Sequence, residues 1–383
     1  MRKAKSISEC FAVLVDTRTG PHTLHKLHDM LVIALCATIC GADSYYDFEH
    51  FGRCREDWLK KFLGLELPNG IPSHDTFNRV FSRLDTGLFE LCFRMWIDDV
   101  RATMQREVLK TEPNPRREVI AIDGKALKSV PTQSGNVPYM VSAWASAQEL
   151  VIGQVRTDEK SNEITAIPQL LHFLALNGSI VTIDAAGCQK KVVAKIVSKG
   201  ADYMIGLKGN QPTMLEEMSL LFSAALKSNP RVFQSHTTVD KQSGRVEERT
   251  CYQTDDIGWF ADREEWAGLR SVCRVDSRRT VKGITSEETR YYISSLPVDP
   301  NLALETIRTH WGIENKLHWT LDVRFREDDS RVRNANAAQN LNVIRKVAID
   351  LLKADRTTRH TFKKKLRTLM WNDEMLQHII IGK

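Results

Sequence analysis

The chain has no apolar run long enough to cross a bilayer. Its longest, LVIALCATICGA at 31–42, has twelve residues, against the roughly 20 that a spanning helix needs. The apolar stretch after MRKAK is too short for a secretory signal. The eight cysteines, Cys10, Cys36, Cys40, Cys54, Cys92, Cys188, Cys251 and Cys273, lack the spacing of a disulfide framework, which fits a reducing compartment and a cytoplasmic protein. Cys36, Cys40, His50 and Cys54 lack the tight CxxC knuckles of a zinc site, and Cys36 and Cys40 sit inside an apolar helical stretch, so buried thiols are the better reading and no structural metal is expected. No internal repeat and no low-complexity segment is present, which excludes a solenoid.

Excess charge of one sign is also scarce, with a net of +6 over 383 residues. The surplus is local: from Arg331 to Lys383 there are twelve Lys or Arg against four Asp or Glu. That run reads either as a solvated helix face or as a phosphate-contact surface. What remains is an ordinary globular composition, 42% hydrophobic and 27% charged, with material for about two to three domains.

Three regimes follow one another. Residues 1–110 carry helical spacing in LHKLHDMLVIALCATICG, DFEHFGRCREDWLKKFLGL and SHDTFNRVFSRLD, the last with Ser73 or Asp75 placed to cap it. The Pro-rich KTEPNPRRE then marks a boundary, and residues 111–383 form the second unit. There the pattern runs strand, strand, strand, helix, strand, helix, strand, helix, with a β-rich insertion at about 230–297 and a basic helical C-terminal segment. A three-stranded meander followed by right-handed crossovers is the wiring of a ribonuclease-H-like mixed α/β sheet. In it the first and fourth strands lie parallel at the centre.

Both of those strands are expected to end in the same way. VIAIDGK delivers Asp123 and SIVTIDAAG delivers Asp184, so two carboxylates meet at the crevice where open α/β sheets bind ligands. Like charges held together there call for a divalent cation between them; for Asp184 alone, capping of the next turn is an equal alternative. A third ligand is expected from IRTHWGIENKLHWTLDVRF, where Arg308, His310, Trp311, Glu314, Lys316, His318 and Trp319 interleave on a helical spacing. Glu314 is the candidate there, with Glu163, Asp322, Glu327, Asp328 and Asp329 as competitors; the later acids can offset Arg324, Arg326 and Arg331.

The segments AIDGKALK, KSNEITAIPQLL, VTIDAAGCQ, YMIGLKGNQ, SGRVEERT and HWGIENKLHWTLDVRFRED, with PSHDTFNRVF before them, resemble in order the motifs of the H-repeat-associated proteins. These are a branch of the bacterial insertion-sequence DDE transposases. The resemblance implies an all-helical N-terminal domain, a ribonuclease-H-like core, and Asp123, Asp184 and Glu314 as the DDE triad. It is incomplete where related enzymes carry Tyr, Arg and Lys around the Glu, since those positions hold Ile307, His310 and Leu321. Arg308 and Lys316 are the neighbouring charges that can substitute.

The expected chemistry is phosphodiester hydrolysis and strand transfer with two Mg²⁺, or Mn²⁺, roughly 3.5–4 Å apart, Asp123 shared between them. The expected partner is double-stranded DNA, as element ends and target, bound by a dimer or larger assembly near the nucleoid. Lys125, Lys208, Asn210 and Gln211 are expected on the rim facing phosphates, with Arg308, His310, Trp311, Lys316 and His318 as further expected DNA contacts. With Val343, Val347 and Leu351 packed inward, Arg345, Lys346 and Lys353 are expected to point outward, extended by Lys363, Lys364, Lys365 and Arg367. The helix around SHDTFNRVFSRLD reads either as an end-recognition element or as a bundle helix with Phe77 and Phe81 in the core. A nuclease without strand transfer and an inactive DNA-binding descendant remain open.

Overall fold

The computed structural model describes residues 6–381 apart from 17, 19–22, 113–115, 131–136, 158–162 and 243. The centre of the Pro-rich boundary therefore lies outside the described residues.

Helices come first: α1 Ile7–Ala12, α2 Leu27–Ile39, α3 Tyr45–Cys54, α4 Glu56–Leu63, α5 His74–Arg83 and α6 Thr86–Thr111. Local chemistry sets their ends. Ser44 and Asp47 form a capping box on α3, and Ser73 accepts from the Thr76 N–H to cap α5. Gly64 stops α4 at a φ of 69°, a left-handed conformation that favours glycine. α2 is buried on almost every side, so it is the centre of this layer rather than a surface helix. In α5 the aromatic face is inside: Phe77 and Phe81 are fully buried. Asp75, Asn78 and Arg79 are exposed on its outer face.

The sheet follows the expected order: β1 Val119–Ala126, β2 Tyr139–Ala145, β3 Leu150–Thr157, α7 Glu163–Phe173, β4 Ile180–Ile183, α8 Lys190–Ser198, β5 Asp202–Leu207 and α9 Pro212–Ser228. β1 pairs antiparallel with β2 and parallel with β4. The β-rich stretch supplies β6 Gln234–Gln242, β7 Arg245–Thr254, β8 Ser271–Val281 and β9 Ile284–Ser294. Its strands widen the same sheet, in the order β3-β2-β1-β4-β5-β9-β8-β7-β6. Pairing β9 on β5 satisfies backbone groups that an open β5 edge would leave bare. α10 Pro300–His310, α11 Trp319–Val323, α12 Ala335–Ala354, α13 Phe362–Trp371 and α14 Asp373–Ile381 complete the chain.

α12 overturns an expectation. Arg345 and Lys346 do not face solvent; they are 5% and 1% exposed. The helix packs against α2, α5 and α6 on one side and β3 on the other, so it has no outer face in its middle turns. Its charges are met internally: Arg345 reaches Glu327 at 3.3 Å and Lys346 donates to Ser142 Oγ at 2.8 Å. Lys353 pairs with Glu149, and Lys365 is buried, donating to the Leu352 carbonyl at 2.9 Å. Of that basic strip, Lys363, Lys364 and Arg367 are exposed.

Asn340 shows what this sandwich costs to break. It is fully buried in α12, and its amide donates to the Phe81 and Leu84 carbonyls at 2.9 and 3.0 Å, where α5 ends. Asn340→Ala strands both carbonyls, so urea unfolding is expected to show a loss of about 2 kcal/mol. A loss below about 0.5 kcal/mol would mean that other groups satisfy them.

Candidate active site

The parallel pairing of β1 with β4 runs to Ile122 opposite Ile183 and stops there. The next residues are Asp123 and Asp184, so the register brings the two carboxylates side by side where the parallel ladder ends. β1 itself does not end at Asp123, as its apolar pattern suggested. It continues to Ala126 along β2, with Asp123 opposite Ser142. β4 does end, and Asp184 Oδ1 accepts from the Ala186 N–H at 3.0 Å. One oxygen thus caps a short 3₁₀ turn, Ala185–Gly187. Behind Asp123, Gly124 leaves space that the Glu163 carboxylate occupies; a Cβ there would collide with it.

Glu314 arrives from the far side. The helix expected through this stretch is interrupted: α10 ends at His310, Ile313–His318 is a π-helical turn, and α11 resumes at Trp319. Such wide turns re-aim side chains and are common at functional sites. A cavity of about 710 Å³ opens among Asp184, Lys208, Arg290, His310, Trp311 and Glu314.

The electrostatics tie the acids together. Burial first, then the charges of Asp184, Glu314 and Glu163, push the Asp123 carboxyl up to about 7, against a Gly124 N–H that favours its ionised form. Burial and Asp184 also raise Glu314, while Arg290 opposes the rise. Among the described residues, no three His, Cys, Asp or Glu side chains converge as a ready-made metal cage. The donor chemistry nonetheless suits a hard cation: acids that repel one another, all oxygen ligands, with a mouth open to substrate.

The neighbouring residues fall into two groups. His310 belongs to the site: its Nδ1 is 2.9 Å from Thr182 Oγ1, and burial pushes its pKa down to about 4. His318 does too, with Nδ1 3.6 Å from Asp123 Oδ2 and a pKa pushed by burial and the charges of Lys346 and Lys125 to about 3. Both imidazoles are neutral. Trp311 and the exposed Lys208 line the cavity.

Others are committed elsewhere. Lys125 does not stand on an open rim; it is 10% exposed and bonded to Asp322 at 2.7 Å and Asp328 at 2.8 Å. Asn210 and Gln211 brace the Asp184 loop by donating to the Ala185 and Cys188 carbonyls at 2.7 and 2.9 Å. Arg308 pairs with Asp240 at 2.7 Å and Lys316 with Glu149, so neither supplies charge beside Glu314. The competing acids are likewise occupied: Glu327 meets Arg345, and Asp329 meets Arg326 at 3.2 Å.

Arg290 is the residue that the sequence reading missed. It lies on β9, stacks 5.1 Å over the Trp311 ring, bonds Glu288 at 2.8 Å and lines the cavity with Asp184 and Glu314. No spacing in the sequence signals it, because its place depends on β9 pairing with β5 across an intervening chain of β6 to β8.

Comparisons with known proteins agree on kind. Residues 114–351 match the family described as Transposase DDE domain, and residues 8–97 match that described as DDE_Tnp_1-associated. The chain is 36% identical over 99% of its length, and 98% of the relative's, to the H repeat-associated putative transposase YhhI of Escherichia coli (strain K12). It is 37% identical over 98% of its length, and 94% of the relative's, to the putative transposase YncI of Escherichia coli O157:H7. A piggyBac transposase, in the cryo-EM structure of its synaptic complex with hairpin DNA, aligns at 11% identity with a TM-score of 0.42, covering 97% of this chain and 76% of that one. That likeness is too low to carry weight.

Proposed function

From a chain that belongs to the DDE transposase family, in its H-repeat-associated branch, we propose a transposase that cuts the ends of its element and joins them to target DNA, with Asp123, Asp184 and Glu314 as its metal-holding carboxylates. The observation that carries this reading is the β1–β4 register, which sets Asp123 beside Asp184, together with the influence of Glu314 on the ionisation of Asp123. The core is proposed to be ribonuclease-H-like, on the strength of its antiparallel meander and parallel centre.

Asp123, Asp184 and Glu314 would together hold two Mg²⁺, or Mn²⁺. The chemistry such ions supply is activation of water or a 3′-hydroxyl and stabilisation of the leaving oxygen. The chain's own groups do the rest. Arg290, planar and stacked on Trp311, is placed to hold a phosphate at the mouth, the task that the Arg position of related enzymes suggests and that His310 cannot perform while neutral. His310 is held by Thr182 and lines the cavity with Asp184. Double-stranded DNA is the proposed partner, with Lys208 and the exposed Lys363, Lys364 and Arg367 as backbone contacts, in an assembly of at least two copies near the nucleoid. Among the described residues no helix is long and apolar enough to cross a membrane.

Incubating the protein and Mg²⁺ with labelled element-end DNA and a target plasmid tests the reading. Nicked ends and end-to-target joints support it. Nicks without joints assign the protein to the nucleases instead, and binding without either product assigns it to the inactive descendants. In the same assay Arg290→Gln is expected to lower kcat/KM for cleavage about 10²-fold. Arg290→Lys should not restore it, because an ammonium lacks the planar fork. Full activity in Arg290→Gln would remove the phosphate-holding role.

A further inference from the structure

Lys346 is a lysine with almost no access to water. It is 1% exposed, in the middle of α12, and its ammonium donates to Ser142 Oγ at 2.8 Å and to Gln154 Oε1. Burial pushes its pKa down to about 8, while the charges of Glu327, Glu90 and Asp350 favour the ammonium. An apolar side chain of similar volume would fill the same space without stranding an ammonium away from water, so packing alone is a poor account of it.

The register says what it faces. Asp123 lies opposite Ser142, and Ser142 opposite Gln154. Directly opposed residues project from the same side of a sheet, so Lys346 caps a row that ends at Asp123. His318 is close to Asp123 and within the field of Lys346. The ammonium therefore stands at one end of a row whose other end is Asp123, one of the acids that repel one another.

We propose that Lys346 is a positioning residue for the carboxylate site: through Ser142 and the Asp123 strand it offsets the repulsion among Asp123, Asp184 and Glu314, and thereby lowers their affinity for a divalent cation to a value that permits exchange. This rests on the reading of those three carboxylates as the cation site. The sign follows from charge. A divalent cation interacts with the lysine twice as strongly as a competing proton at the same place, so removing the lysine's charge favours the cation.

The test is Mn²⁺ binding to the full chain without DNA at pH 7, followed by calorimetry and by paramagnetic resonance of free Mn²⁺. Lys346→Met is expected to tighten the Mn²⁺ Kd by about threefold or more, and Lys346→Arg, which keeps the charge, to leave it near the wild-type value. Gln154→Glu neutralises the ammonium in place and is expected to tighten binding as well, which covers a Met variant that does not fold. An unchanged Kd in Gln154→Glu or in folded Lys346→Met overturns the proposal; a lysine of merely structural importance would lower thermal stability and leave Kd alone. Asp123→Asn with wild-type Mn²⁺ binding would instead overturn the cation-site reading itself.

Discussion

Asp123→Asn and Asp184→Asn are each expected to reduce Mg²⁺-dependent cleavage of element-end DNA by on the order of 10³-fold or more. An amide occupies the same volume as the carboxylate but brings no charge to a divalent cation. Asp123 sits within β1 and Asp184 caps a short turn through one oxygen, so the Asn forms keep the local hydrogen bonding within reach. Band-shift affinity for the same DNA and the far-ultraviolet circular dichroism spectrum should stay close to wild type. Cleavage within tenfold of wild type in either variant would end the assignment of that residue. Glu314→Gln belongs in the same series, and Glu163→Gln is its control. Glu163 contributes to the field at Asp123 from beneath Gly124, so it should affect the ionisation of the site more than the reaction.

The same acids should make the metal-free protein lose stability as pH rises. The folded-state pKa of Asp123, about 7, stands above the usual carboxyl value of 3.8. A raised carboxyl pKa means that the native state holds its proton more tightly than the unfolded chain does. Its contribution to stability is therefore fully present below pH 4 and is lost as pH rises through 7. The difference corresponds to about 4 kcal/mol between those limits. In EDTA, urea unfolding should show wild type falling relative to Asp123→Asn over this range, with the Asn variant the more stable at pH 8. Saturating Mg²⁺ should close the gap, because a cation replaces the proton as the partner of the carboxylate. Parallel curves for the two proteins in EDTA would show that burial and the neighbouring acids do not raise the Asp123 pKa as their arrangement implies.

Much of this was legible in the residues because it depends on local pattern. The strand–helix order from Val119 to Ser228 follows from apolar period and turn chemistry, and both central carboxylates end short β-branched apolar runs, the pattern of buried strands. Parallel neighbours then follow from the handedness of crossovers, and Asp123 beside Asp184 follows from the parallel neighbours. Glu314 was reached differently, through the motif around it, and its helical spacing concealed the π-helical turn at Ile313–His318. Widening by one residue only shifts the phase of the side-chain periodicity, and the stretch is too short for that shift to stand out from an ordinary helix.

What the tertiary structure alone decided concerns partners distant in sequence. Periodicity identifies one apolar face of α12, but a helix enclosed between a helical layer and a sheet has no second face to give to solvent. Arg345 and Lys346 are buried because Glu327, Ser142 and Gln154 stand ready to receive them. Arg290 stands at the cavity because β9 closes on β5, and Lys125 leaves the rim because Asp322 and Asp328 outcompete water for it. A sequence by itself determines which side chains carry charge and which backbone segments must be covered. Which charge meets which is decided only when the chain has folded, since electrostatic pairing depends on distance in space and residue spacing along the chain does not encode that distance.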